Sequence, residues 1–275
     1  IGSVRSTTQT GINLAGEAWY RATASQTGTF TVEALLGSSS SVTLSVYTTT
    51  GTLLGTQTLS ASSRIDLQAT SGQELVIKLT GNTSGVSLRL TNLVTLSGST
   101  LNIAGTAGND TISVARGTST WSINVNGVAY SFTNAQASTV NVNGAEGNDT
   151  ITLTGSAGVD TAVMRVGSTT LTGAGYSINA AGFEYATING NGGNDVLQVY
   201  DSTGNDTLTA STTSVVMTGT GYRHAANGFK VISAFATAGG IDTANVSDTA
   251  GNDTLTTGLL SFSLSGVGYS VTGSG

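Results

Sequence analysis

The chain has 275 residues, of which 9% are charged and 38% apolar, with 38 glycines, no proline and no cysteine. A net charge of −6 argues against nucleic acid as a partner, and the absence of cysteine removes disulfides, zinc–thiolate sites and thiol catalysis. No apolar run approaches the roughly 18 residues of a spanning helix, so no membrane span is expected; the Thr-, Val- and Ile-rich remainder, broken by Gly-Asn and Gly-Asp turns, reads as all-β.

Residues 1–97 lack any long repeat and are expected to form a β-sandwich. The first stretch, Ile1 to Gly16, is polar and sparsely apolar, and is expected as an extended arm; a start at Ile rather than Met reads as a mature or trimmed product. Alternating runs follow: Phe30, Val32 and Ala34; Val42, Leu44 and Val46; Leu75, Ile77 and Leu79; Val86, Leu88 and Leu90. Each places its apolar side chains on one face of a strand. Turn-rich segments at Gly37–Ser40, Thr50-Gly51, Ser71-Gly72 and Gly81–Gly85 separate them. The segments Trp19–Ala24, Gly28–Val32, Leu44–Tyr47 and Gly51–Leu54 resemble the bacterial pre-peptidase C-terminal domain. That resemblance implies a small secreted sandwich appended to a larger protein, with no catalytic residue.

Residues 98–275 are expected to form a β-solenoid, parallel β-helix-like, of 46–47-residue repeats. A degenerate first unit opens at Asp110; the regular units then run Asp149, Asp195, Asp242. Eleven residues after each of these comes a further Gly-x-Asp-Thr, ending at Thr161, Thr207 and Thr254, and then a Gly-x-Gly-Tyr ending at Tyr176, Tyr222 and Tyr269. Strand-like runs in the third unit are Val196–Tyr200, Thr207–Ala210, Ser214–Thr218 and Phe229–Phe235. Stacking of equivalent residues predicts one ladder of Tyr176, Tyr222 and Tyr269 and another of Phe183 and Phe229. A row of small two-sheet modules is the alternative, but so short a unit is poorly stable alone.

Seven aspartates sit in Gly-x-Asp contexts: Asp110, Asp149, Asp160, Asp195, Asp206, Asp242 and Asp253. Hard oxygen ligands on glycine-rich turns suit Ca²⁺. Asn189–Leu197 resembles the RTX calcium motif, although the nine-residue RTX spacing is absent. The structural alternative is that Asp caps its own turn. The same turns supply Asn-x-Ser/Thr acceptors at Asn109, Asn148, Asn205 and Asn252, with two more at Asn82 and Asn245, which raises glycans as an addition. The single histidine, His224, is expected at the surface, and no catalytic residue is assigned. Trp19 and Trp121 are read as core or cap rather than sugar platforms.

After Tyr269 the pattern expects an aromatic beyond Gly275, so the last coil should present an unpaired sheet edge; the alternative reading of the same ending is a fragment of a longer repeat protein. The phrases Asp201–Thr207, Gly219–Tyr222, Asn227–Phe229 and Ala238–Ala244 are similar to tandem units in very large secreted and surface proteins of planctomycete-type bacteria. This resemblance covers residues 145–275 and implies a surface location and an architectural role. The resulting expectation is a non-enzymatic extracellular structural protein, a fibre or layer subunit joined head to tail as a homopolymer. The alternative is a calcium-stabilised adhesin or carbohydrate-binding module.

Overall fold

The computed structural model describes residues 1–36, 41–59 and 62–275, so the expected turn at Gly37–Ser40 lies outside the described residues. Strands are the regular structure throughout, and the chain divides into two compact units, Ile1–Leu96 and Ser97–Gly275. No helix among the described residues is long and apolar enough to cross a membrane.

The first unit is organised by two long strands, Ser6–Ala24 and Glu74–Ser97, paired antiparallel from Ser6↔Thr91 to Thr23↔Glu74. Glu74–Ser97 serves two neighbours in turn. Its first half pairs with Val42–Thr48, and its second half with Gly28–Leu35. Leu53–Leu59 extends the first pairing and Ser62–Ala69 the second. The predicted alternating runs all point inwards: Phe30, Val32, Leu44, Ile77 and Leu88 belong to one buried cluster. Each such side chain contributes about 1.5–3 kcal/mol on burial. The expected free arm is not seen. Ser6–Gln9 is hydrogen-bonded along Leu88–Thr91, Ile12 and Leu14 are buried, and Gly2–Val4 lies parallel to Ala22–Ala24.

The second unit is a β-solenoid in which the chain passes repeatedly between two sheets. The first sheet begins with Thr100–Ala104, Thr139–Asn143 and Tyr176–Ala181, stacked parallel. Ser168–Gly173 and then Asp160–Arg165 follow antiparallel, and Val196–Tyr200, Val231–Phe235 and Tyr269–Ser274 stack parallel on the latter. Ser261–Gly266 and Thr254–Thr257 close the order. The second sheet runs Val128–Thr133, Thr120–Val125, Thr111–Arg116, Thr150–Thr154, Tyr185–Asn189, Tyr222–Asn227, Ser214–Gly219, Thr207–Ala210, Thr243–Val246. Strict alternation, as in Ile151 and Leu153 or Leu197 and Val199, buries one face of each strand. Trp121 of the second sheet meets Tyr176 of the first edge-on, with ring centroids 5.6 Å apart.

Each repeat contains a three-stranded antiparallel meander followed by two single strands. The meanders span 111–133, 160–181, 207–227 and 254–274, and they alternate between second and first sheet. The reason is arithmetic: a repeat crosses from sheet to sheet three times, an odd number, so the next meander opens on the opposite sheet. The expected ladders therefore do not form. Tyr176 and Tyr269 lie in the first sheet and Tyr222 in the second, while Phe183 precedes a strand of the second sheet and Phe229 one of the first. Parallel pairing nevertheless runs unbroken across repeats, as Val196–Tyr200 pairs with both Asp160–Arg165 and Val231–Phe235. The unit is thus one continuous stack and not a row of modules.

Candidate functional site

The seven flagged aspartates fall into two structural groups. Asp110, Asp160, Asp206 and Asp253 each close a Ser/Thr-x-Gly-x-Asp turn. In the second of these the Ser156 N–H donates to Asp160 Oδ2 at 2.7 Å, its hydroxyl donates to Oδ1 at 3.1 Å, and the Gly158 N–H donates back to Ser156 Oγ at 3.1 Å. The same set recurs at Thr106 with Asp110, Ser202 with Asp206 and Thr249 with Asp253. In the last two turns a tyrosine adds a fourth donor: Tyr222 Oη to Asp206 Oδ1 at 2.8 Å and Tyr269 Oη to Asp253 Oδ1 at 2.7 Å. Burial first and the carboxylate second push the Tyr222 phenol up; the same causes take Tyr269 up to about 12. Gly219 and Gly266 are required here because a Cβ at either would strike the Asp carboxylate and the tyrosine ring.

Asp149, Asp195 and Asp242 sit one strand further along the stack and cap the first group. Their Oδ1 atoms accept the N–H of Asp110 at 2.7 Å, Asp160 at 2.8 Å and Asp206 at 2.9 Å. Stacked partners are therefore 35 to 39 residues apart, not eleven. In this second turn a left-handed residue replaces the Ser or Thr: Ala145 at φ 75° and Asn191 at φ 68°. The Ala145 N–H turns away to Asn143 Oδ1, 3.0 Å distant. As a result Asp149 Oδ2 and Asp195 Oδ2 are buried with no hydrogen-bond partner among the described residues. Burial holds both carboxyls above their ordinary pKa, against the pull of the N–H each accepts. Glycine fits the second turn because it packs directly on the first. A Cβ at Gly147, Gly193 or Gly240 would collide with the carbonyl oxygen of Gly108, Gly158 or Gly204.

The aspartates thus satisfy turn donors, and in one place only do three carboxylates converge among the described residues. Asp206 and Asp242 are joined by Asp201, which the sequence reading passed over, with one carboxylate oxygen from each within 4.8 Å of the others. Asp201 also accepts the Ala238 N–H at 3.0 Å. These three rim a cleft of ≈ 530 Å³ whose lining includes Leu208, Met217 and Phe262. The cleft lies where Thr243–Val246 and Thr254–Thr257 each pair on one side only. Around it Ile241, Leu255, Leu259 and Leu260 are exposed.

His224 is not at the surface. It is buried opposite Met217 and Ala186, both ring nitrogens lack a partner among the described residues, and burial pushes its pKa down to about 4. Its side chain takes the core place that Ile178 and Val271 hold in neighbouring repeats. Trp121 is fully buried and donates to Ala137 O at 2.8 Å, whereas Trp19 is exposed beside Tyr47, with Lys78 Nζ 4.8 Å from its ring. Asn82, Asn109, Asn148, Asn205, Asn245 and Asn252 are all exposed. Asn109 Oδ1 accepts the Asn148 N–H and Asn205 Oδ1 that of Ile241, so these turns stack edge on edge.

No protein-family model matches the chain, and no curated protein matches it. Among solved structures it is similar to the pre-peptidase C-terminal domain of a collagenase from Bacillus anthracis, at 12% identity and a TM-score of 0.27. That likeness covers 33% of this chain and 90% of the other, and its score is too low to carry an inference.

Proposed function

We propose that this chain is a non-enzymatic structural protein of the cell exterior, a subunit that joins its copies head to tail through strand edges. The observation that carries the reading lies at Thr243–Val246 and Thr254–Thr257 of the second unit. There two one-sided strands, one in each sheet, flank an unfilled cleft and a cluster of exposed leucines. Exposed edges of this kind are templates for strand addition, and contacts that do not close on themselves give filaments. The recurrence of one aspartate-closed turn at Asp110, Asp160, Asp206 and Asp253 fits the same reading, since it gives each repeat the same lock. The resemblance of residues 145–275 to repeats of large surface proteins supports the location.

The test is electron microscopy with sedimentation at increasing protein concentration. End-to-end species that lengthen with concentration are expected; particles that stay single at every concentration would remove the proposal. A second reading, calcium stabilisation of an adhesin or carbohydrate binder, is favoured by the convergence of Asp201, Asp206 and Asp242. It expects the melting temperature to rise with millimolar Ca²⁺ and to lose that response in Asp242→Asn.

A further inference from the structure

Trp19, in the strand Ser6–Ala24 of the first unit, is 52% exposed and nevertheless held in place. Its indole N–H donates to Glu17 Oε1 at 2.9 Å. Lys78 Nζ lies 4.8 Å from the ring centroid and also pairs with Glu17 Oε2. The Tyr47 ring stands 5.9 Å away, tilted by 37°. An ammonium set over a ring occupies one of its faces, so half exposure leaves the opposite face open. Three neighbours thus fix a ring that stays largely in water, and a ring fixed in advance lowers the ordering cost of whatever stacks on it.

The surroundings select the ligand. The charges beside the ring are mutually paired, Lys78 with Glu17 and Arg21 with Glu74, so an anion finds no net attraction. Lys78 itself repels a cation from the ring. Lys78 is paired across the sheet with both Trp19 and Ser45, which places all three on one face. Beyond Ser45 that face carries hydroxyls: Thr43 meets Thr58 at 2.6 Å and Ser45 meets Thr56 at 2.8 Å, with Thr56 and Thr58 exposed. A hydroxyl engaged once keeps lone pairs for a second bond. The apolar area is small. Trp19 exposes about half of the ~250 Å² that such a side chain offers, against the ~800 Å² that each partner contributes to a stable protein interface. A flat, uncharged molecule with an apolar C–H face and a hydroxyl rim matches these features, and that is a pyranose ring.

We propose that Trp19, with Tyr47 beside it, is a stacking platform for a neutral polysaccharide. The platform lies in the first unit and goes beyond the assembly reading; it gives the carbohydrate-binding reading a site that needs no calcium.

The test is depletion of the intact protein from solution by insoluble cellulose and by chitin, with carboxymethyl cellulose and albumin-coated beads as comparisons. Retention on at least one of the two neutral polysaccharides is expected, falling at least tenfold in Trp19→Ala and severalfold less in Trp19→Phe, which keeps a ring. A second measurement needs no variant. Trp121 is buried, so acrylamide quenching reports mainly on Trp19, and a soluble hexasaccharide of the retaining polymer should reduce that quenching. Retention on neither polysaccharide overturns the proposal, as does retention that Trp19→Ala leaves unchanged, or quenching that the hexasaccharide does not alter. Equal retention on albumin would make the ring a protein contact, and stronger retention on carboxymethyl cellulose would make the ligand an anion; either overturns it. Retention should be the same in EDTA, and its loss there would move the sugar to a calcium site and overturn the assignment to Trp19. The readings fail separately. Particles that stay single at every concentration remove the fibre and leave the platform; end-to-end growth without glycan retention does the opposite.

Discussion

Asp149 and Asp195 each bury an oxygen that has no hydrogen-bond partner among the described residues. Their folded pKa values are raised by burial, so the folded chain holds the proton more tightly than the unfolded one. Their favourable contribution is complete below the unfolded carboxylate range and is lost as pH rises through the folded value. Asp149→Asn keeps the acceptor for the Asp110 N–H and removes the charge. It is expected to raise stability at pH 7 by about 1 kcal/mol, with the gain vanishing in acid, as read from denaturant midpoints across pH. His224 works in the other direction. Its pKa is depressed from 6.5 to about 4, so the unfolded chain protonates first, and stability present above pH 6.5 is lost as pH falls towards 4. The full loss is about 3 kcal/mol at 1.36 kcal/mol per unit. His224→Leu should flatten the thermal-melt profile between pH 4 and 6.5. Neither feature was legible beforehand. A lone histidine beside Arg223 looks like surface, and only the pairing with Met217 places it inside.

The turn is the element that the sequence encodes most locally. A serine or threonine four residues ahead of the aspartate, with glycine between, was present at Thr106, Ser156, Ser202 and Thr249 and could have separated the capped aspartates from their stacked partners. The eleven-residue spacing does not carry this distinction, because residues eleven apart lie in different sheets. The two-residue alternation, by contrast, located Gly28–Leu35, Val42–Thr48, both halves of Glu74–Ser97 and most strands of the third unit. The turn expected at Gly81–Gly85 is not one, because Glu74–Ser97 runs through it as a single strand, and Leu53–Leu59 and Ser62–Ala69 were not among the alternating runs. The alternation also missed Tyr222–Asn227, where Arg223, His224 and three small or polar residues hide the period. At the level of the turn, Tyr222→Phe removes a buried donor to a carboxylate and is expected to cost about 1.5–3 kcal/mol. Gly219→Ala should cost at least as much, because both groups that its methyl would meet are part of the lock. Equilibrium unfolding of the two variants checks this, and a neutral Gly219→Ala would contradict the packing described.

For the molecule as a whole, the solenoid was readable from its period, but the order of its strands was not. Period reports that units are alike; it does not report how many times each unit changes sheet. Thr243–Val246 pairs on one side only, and by the alternation of a parallel ladder the N–H groups of Ala244 and Val246 point away from that partner, which gives the proposed assembly a clean probe. Ala244→Pro deletes one of those donors while leaving the Thr243 and Ser247 bonds to the preceding strand in place. End-to-end growth in sedimentation should fall at least tenfold with little change in melting temperature. Unchanged growth would place the joining surface elsewhere.

The three crossings per repeat impose a rule of parity on the lineage of such a chain. Duplicating one repeat would swap which sheet carries the next single strand and which the next meander. Duplicating two would restore it. Under the proposed assembly, chains of different length should therefore differ by even numbers of repeats.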